Sequence, residues 1–231
     1  MSKLPLVVLA LSLVIVAAAV GLYLAKSPGT IDSNVVNMQD QPRHPVSDEQ
    51  HEDASHRRGN QAPLFDLPDS TGKKWSLSAI LKETPAVVVM TKDGCPCSIE
   101  SQPHFNAISD ALEGKVQFVG ILDSDLPTAT LYKSGFKVPY PILSETTGQT
   151  FADYKAKQSV YVYLIRKDGS IAKVWPGYNA AMLADLYQLA AAEAQTSGPA
   201  LAFTDAPAEM TSGCYFESPS KNLREGEKAT Q

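Results

Sequence analysis

Cys95 and Cys97 flank a single proline in the stretch KDGCPCSIESQPHF, residues 92–105. A third cysteine, Cys214, lies far along the chain in DAPAEMTSGCYF. A deprotonated cysteine sulfur is both a nucleophile and a ligand for soft metals. The pair therefore admits redox chemistry, a copper-type site or a structural bridge. Two cysteines do not complete a tetrahedral zinc site, and His104 is the nearby candidate for a third soft-metal ligand. A bridge between Cys95 and Cys97 has to close across one stiff proline within narrow disulfide torsions. Strained bridges of that kind are readily reduced. Three cysteines leave one thiol over in any intramolecular pairing, and Cys214 offers the alternative partner. The clustering favours reactive thiols over stapling, with soft-metal handling or a non-catalytic binding module as the alternative.

The neighbouring residues predict where these sulfurs sit. AVVVMT, residues 86–91, is a continuous apolar run of the kind found in buried central strands. Lys92, Asp93 and Gly94 then form a turn. Pro96 suits the first helical position, where its missing N–H costs nothing. Cys95 is then the N-cap and Cys97 the second helical residue. Free backbone N–H groups and the helix dipole at that end favour a thiolate. Asp93 and Glu100 oppose the effect. Phe105, Ile108 and Leu112 define the buried face of the helix, Pro103 is expected to kink it, and Gly114 ends it.

Around this unit the chain divides into four parts. Residues 1–26 contain an uncharged run, 4–25, long enough to span a bilayer and longer than the core of most signal peptides. It reads as a membrane anchor, with a cleaved signal as the alternative, and either one exports the rest of the chain. Residues 27–61 mix charges with Gln, Asn, Pro and Ser and read as a flexible linker. His44, His51 and His56 lie there without regular ligand spacing. Residues 62–195 form one domain: an entry hairpin around Ser70, Thr71 and Gly72, a strand at 86–91, the cysteine helix, a strand at 116–122, a helix at 126–134, a hairpin of 160–165 and 171–175 turning at Asp168 and Gly169, and a helix at 180–194. Strands alternating with helices imply an α/β fold with a central sheet covered on both faces. Residues 196–231 form a polar tail carrying Cys214. The 231-residue chain has a formal charge of −5 and no dense Lys/Arg patch, which argues against a nucleic-acid partner.

The order and spacing of APLFDLPDSTGKKWSLSAI, AVVVMTKDGCPCSIESQP, FKVPYPILSETTGQTFADY and VYVYLIRKDGSIAKVWPG resemble the thioredoxin-like redoxins, of the alkyl hydroperoxide reductase and thiol-specific antioxidant type, in a membrane-tethered form. The resemblance covers residues 62 to about 194. It implies a thioredoxin-like fold with a central mixed β-sheet flanked by helices and an N-terminal β-hairpin extension. It implies thiol–disulfide oxidoreductase or thiol peroxidase activity, with Cys95 as nucleophile, Cys97 as near resolving thiol and Cys214 as distal one. No cofactor is implied, and the partner is a redox protein or a peroxide. Three departures stand out. The pair is Cys-x-Cys rather than Cys-x-x-Cys, Thr91 stands four residues before Cys95 rather than three, and Val160 replaces the family's cis proline. The last weakens a general disulfide-reductase role and is more compatible with a peroxidase-like or a degenerate site.

Overall fold

The computed structural model describes residues 44–217. The proposed anchor at 1–26 lies outside the described residues. No helix among the described residues is long and apolar enough to cross a membrane.

The centre is a five-stranded mixed sheet built from β4 (Ala86–Thr91), β5 (Gln117–Leu122), β6 (Ile142–Ser144), β7 (Tyr161–Ile165) and β8 (Ile171–Trp175), in the order β6-β5-β4-β7-β8. The β4–β5 and β5–β6 pairs are parallel, and β4–β7 and β7–β8 are antiparallel. β4 is central and buried at all six positions, as its unbroken apolar run requires. Successive side chains point to opposite faces of the sheet. Val87 and Val89 face one core, with Phe105 and Ile108 of the cysteine helix and Leu183 and Leu186 of the last helix. Ala86, Val88 and Met90 face the other, with Leu77, Ile80, Phe151 and Tyr154.

The helices between these strands form where local signals place them. α3 (Pro96–Ala111) is capped by Cys95 and runs through Pro103 as one element. α4 (Leu126–Gly135) starts at Asp125, whose side chain accepts from the Thr128 N–H. α6 (Ala180–Glu193) starts at Asn179, whose side chain accepts from the Met182 N–H. The entry hairpin is β2 (Asp66–Pro68) with β3 (Lys74–Ser76), and the short α2 (Leu77–Glu83) comes next. Asp69 holds its turn by accepting from the Thr71 N–H and hydroxyl and from the Trp75 indole.

Two regions differ from expectation. The segment read as a linker is structured from His44 onward. It forms β1 (His44–Pro45) and α1 (Asp48–Ser55), the latter opened by a capping box between Ser47 and Gln50. Ala54 and Arg57 are buried, and Arg57 donates to the Tyr154 carbonyl and the Tyr163 hydroxyl. A polar helix with one buried apolar residue has almost no periodicity to read, so composition alone points to a tether. The tail is structured as well, up to residue 217. β9 (Thr211–Ser212) pairs antiparallel with β1, and both of its residues are buried. β6 and α5 (Gln149–Asp153), within the FKVPYPILSETTGQTFADY segment, are also regular elements.

Candidate functional site

Cys95 sits where β4 hands over to α3. The turn at 92–94 is fixed by Asp123 at the end of β5: its carboxylate pairs with Lys92 Nζ at 2.6 Å and accepts from the Asp93 N–H at 2.8 Å. Ser98 Oγ accepts from the Lys92 N–H at 3.1 Å, closing the turn against the first turn of the helix. Gly94 has φ +65°, a conformation that glycine adopts without a Cβ penalty. Beneath α3, buried Gln102 donates to the Tyr140 hydroxyl at 2.6 Å and accepts from the Tyr132 hydroxyl at 3.0 Å. This network locks the helix to α4 and to the loop before β6.

The structure brings the three sequence-predicted cysteines together. All three are free thiols. Cys95 is 1% exposed and Cys97 5% exposed, and Cys214 is half-buried. The Cys214 backbone N–H donates to Cys95 Sγ at 3.2 Å, and Ser159 Oγ donates to the same sulfur at 3.2 Å. The Ser98 backbone N–H in the first turn of the helix also favours the charged form of the Cys95 sulfur. Its stabilisation comes from the groups converging on it together with the helix dipole.

The electrostatics separate the three thiols. Cys95 is held well below the usual thiol range, first by a hydrogen bond from Cys97 and then by those from Ser159 and the Cys214 backbone, which together outweigh burial. Cys97 is pushed up because it donates to Cys95, because it is buried, and because Cys95 and Glu100 repel a second negative charge. Cys214 is raised to about 11 by burial and by its own hydrogen bond to Cys95. These shifts favour the charged form at Cys95 and the protonated form at Cys97 and Cys214.

Ser159 and Gly213 carried no sequence signal of their own. Ser159 immediately precedes Val160, the residue standing where the resemblance places a cis proline, and the Ser159–Val160 peptide bond is cis. Gly213 lies directly over the cysteines. A Cβ added there would stand 2.1 Å from Ser159 Oγ, 2.7 Å from Cys95 Sγ and 3.3 Å from Cys97 Cβ. His104 does not join the site. Its ring packs edge-on against Phe203 with centroids 6.0 Å apart. Among the described residues, no group of three or more His, Cys, Asp or Glu side chains is arranged to hold a metal ion.

A mixed sheet in this order, with a cysteine at the N-terminus of the helix after its central strand, defines a thioredoxin-like redoxin. The chain belongs to the AhpC/TSA family, whose model matches residues 58–174. No curated protein matches the chain. Among solved structures it is similar to a Chlorobium tepidum chain assigned as thiol:disulfide interchange protein DsbE, at 23% identity over 59% of this chain and 97% of that one, with a TM-score of 0.55. It is also similar to the peroxidoxin BcpB of Mycobacterium tuberculosis, at 21% identity over 60% and 96% of the two chains, with a TM-score of 0.51. An uncharacterised conserved protein of Geobacillus kaustophilus has a TM-score of 0.58 at 17% identity, over 70% and 92%. These likenesses establish the fold.

Proposed function

We propose that the protein is a thiol–disulfide oxidoreductase, tethered to a membrane by residues 4–25 with its domain on the extracytoplasmic side. Cys95 is the nucleophile. The observation that carries this reading is the buried Cys95 sulfur, on which the Ser159 hydroxyl, the Cys214 backbone N–H and the Cys97 thiol converge. The Cys95 thiolate attacks one sulfur of a disulfide, forming a mixed disulfide and expelling the other sulfur as a thiolate. Cys97 or Cys214 then gives up its proton and attacks Cys95 Sγ. The second partner sulfur leaves as a thiolate, and two electrons have passed to the partner.

The burial of Cys95 favours a second reading, a thiol peroxidase. With the tail in place, a small oxidant reaches the sulfur more easily than a folded protein does. Attack on the peroxide O–O bond gives Cys95 sulfenic acid and an alcohol or water, with one proton taken up. The Cys214 thiol then displaces water to form a Cys95–Cys214 disulfide. The two readings separate in one assay. The reduced protein is mixed, with dithiothreitol as terminal reductant, with either a protein disulfide or hydrogen peroxide, and Cys95→Ser is the control. Turnover of neither substrate by the native chain rejects both readings.

A further inference from the structure

We infer that the cleft between α1, α5 and the tail at residues 215–217 is a binding site for a small organic cation with an aromatic body, and that the bound cation holds that tail segment in place. Binding is independent of the thiol reading of Cys95, and only its effect on access to that sulfur rests on it.

The cleft encloses about 760 Å³, within the range of roughly 300–1,000 Å³ of small-molecule sites. Its apolar lining comes from Phe151, Ala152 and Ala156 of the α5 region and from Tyr215 and Phe216 of the tail. Phe151 and Phe216 stack with centroids 4.0 Å apart, and Tyr215 is 67% exposed. An aromatic lining takes up a flat apolar body and attracts a cation. The charges select the same sign. Four carboxylates, Glu49, Glu52, Asp53 and Glu217, line the cleft with two ammonium groups, Lys155 and Lys157. Glu49 pairs with Lys157 at 3.8 Å, and Asp53 pairs with Arg57. Among the described residues, Glu52 and Glu217 form no ion pair. Glu217 acts on Lys92 through space, but Lys92 is already paired with Asp123 at 2.6 Å. Lys155 offsets one of these two carboxylates, and one negative charge is left over. The start of α5 offers an anion little, because Glu145 already accepts from the Thr150 N–H and hydroxyl. A singly charged cation is therefore the complement of the cleft.

The tail is part of the lining, so the cleft is complete only while the tail is seated. The Phe216 N–H donates to the Lys157 carbonyl at 3.0 Å, and its ring lies on Phe151. Tyr215 directly follows Cys214, whose backbone N–H serves Cys95 Sγ. A ligand in contact with both the α5 region and the tail gains contacts that exist only in the seated state. Its binding shifts the population toward that state. Occupation of the cleft therefore slows access to Cys95.

The test uses equilibrium dialysis of the full-length reduced chain with naphthylmethylammonium, and with naphthoate as the anion on the same rings. Ala152 is exposed and lines the cleft, so Ala152→Trp fills the cleft and, prepared in the same way, subtracts binding elsewhere. The native chain should take the cation and largely refuse the anion, and the tryptophan variant should take neither. A Glu52→Gln, Glu217→Gln double variant alters only exposed side chains and should weaken the cation by roughly fivefold. No binding of the cation at millimolar concentration, equal binding of cation and anion, or unchanged binding by either variant overturns the site. Hydrogen exchange of the Phe216 amide reads the tail. At ten times the dissociation constant, a ligand that binds only the seated state should slow this exchange roughly tenfold. An unchanged rate overturns the hold on the tail. Alkylation of Cys95 by iodoacetamide should slow in parallel. Slowed exchange with unchanged alkylation supports the site and overturns its control of Cys95. Neither binding nor exchange is read through Cys95 chemistry, so a Cys95 that fails to react as a nucleophile leaves both results standing.

Discussion

The backbone N–H of Cys214 donates to the sulfur of Cys95 at 3.2 Å, across 119 positions of sequence. A backbone donor cannot be removed by a side-chain substitution. Cys214→Ser therefore leaves this bond in place and takes away the third thiol together with that thiol's own hydrogen bond to Cys95, which makes that variant a probe of what the Cys214 sulfur does.

Oxidation of the reduced protein with one equivalent of peroxide is expected to give a Cys95–Cys214 disulfide as the main product. Non-reducing peptide mapping reads it directly. In Cys214→Ser the product should move to Cys95–Cys97 or to over-oxidised Cys95. A Cys95–Cys97 bridge as the main product of the native chain would show that the tail cysteine is a bystander.

Cys95 should be the first cysteine alkylated by iodoacetamide. Its rate should stay nearly constant from pH 6 to 8, because its thiol lies below the free-cysteine range of about 8.5. Cys97 and Cys214, both shifted upward, should stay slow over the same range. Mass spectrometry of tryptic peptides against pH decides it, and a faster Cys97 reverses the roles.

The same shift sets the pH dependence of stability. A thiol depressed on folding contributes stability that is fully present above the unfolded value, about 8.5, and is lost as pH falls through the folded value. Between pH 6 and 8 the urea stability of the reduced native chain should therefore rise with pH relative to Cys95→Ser, by at most roughly 1.4 kcal/mol per pH unit. Cys97 and Cys214 remain protonated in both states below about 8.5 and do not tilt this comparison. A gap that narrows with rising pH contradicts the thiolate assignment.

Asp123→Asn should cost about 1–3 kcal/mol, because the carboxylate holds both Lys92 and the Asp93 N–H in a partly buried turn. It should also slow Cys95 alkylation by loosening the N-cap. Denaturant titration and the alkylation rate should move together.

The tether is checked by cell fractionation and N-terminal sequencing. The protein should partition with membranes and start at or near Met1. Soluble protein beginning near Val20 would replace the anchor by a cleaved signal.

The frame around Cys95 was legible because its signals are local. An unbroken apolar run, a turn with glycine and a proline at the first helical position predict β4, the N-cap and the start of α3, whereas the helix ends at Ala111, short of the Gly114 stop. The two hairpins and α6 are legible from period and capping. The cover of the site was not legible. The bonds between residues 157–159 and 213–216 are made by main chain, which leaves no pattern of residue types. Ser159 matters for its distance to Cys95, which only the folded chain defines. α1 had a readable capping box at Ser47 and Gln50, but its charged surface masked the single buried contact of Ala54.

Both hydroxyls of β9 reach the same atom: Thr211 Oγ1 and Ser212 Oγ each donate to the His44 carbonyl at 3.2 Å. Tension on the chain ahead of His44 is borne by these two bonds and by the β1–β9 ladder before it reaches any strand of the five-stranded sheet. The next residue after Ser212 is the glycine over Cys95. A leash at the N-terminal end would thus act as a mechanical handle on the cover of the cysteines, so that pulling on the chain and exposing the sulfur become one movement.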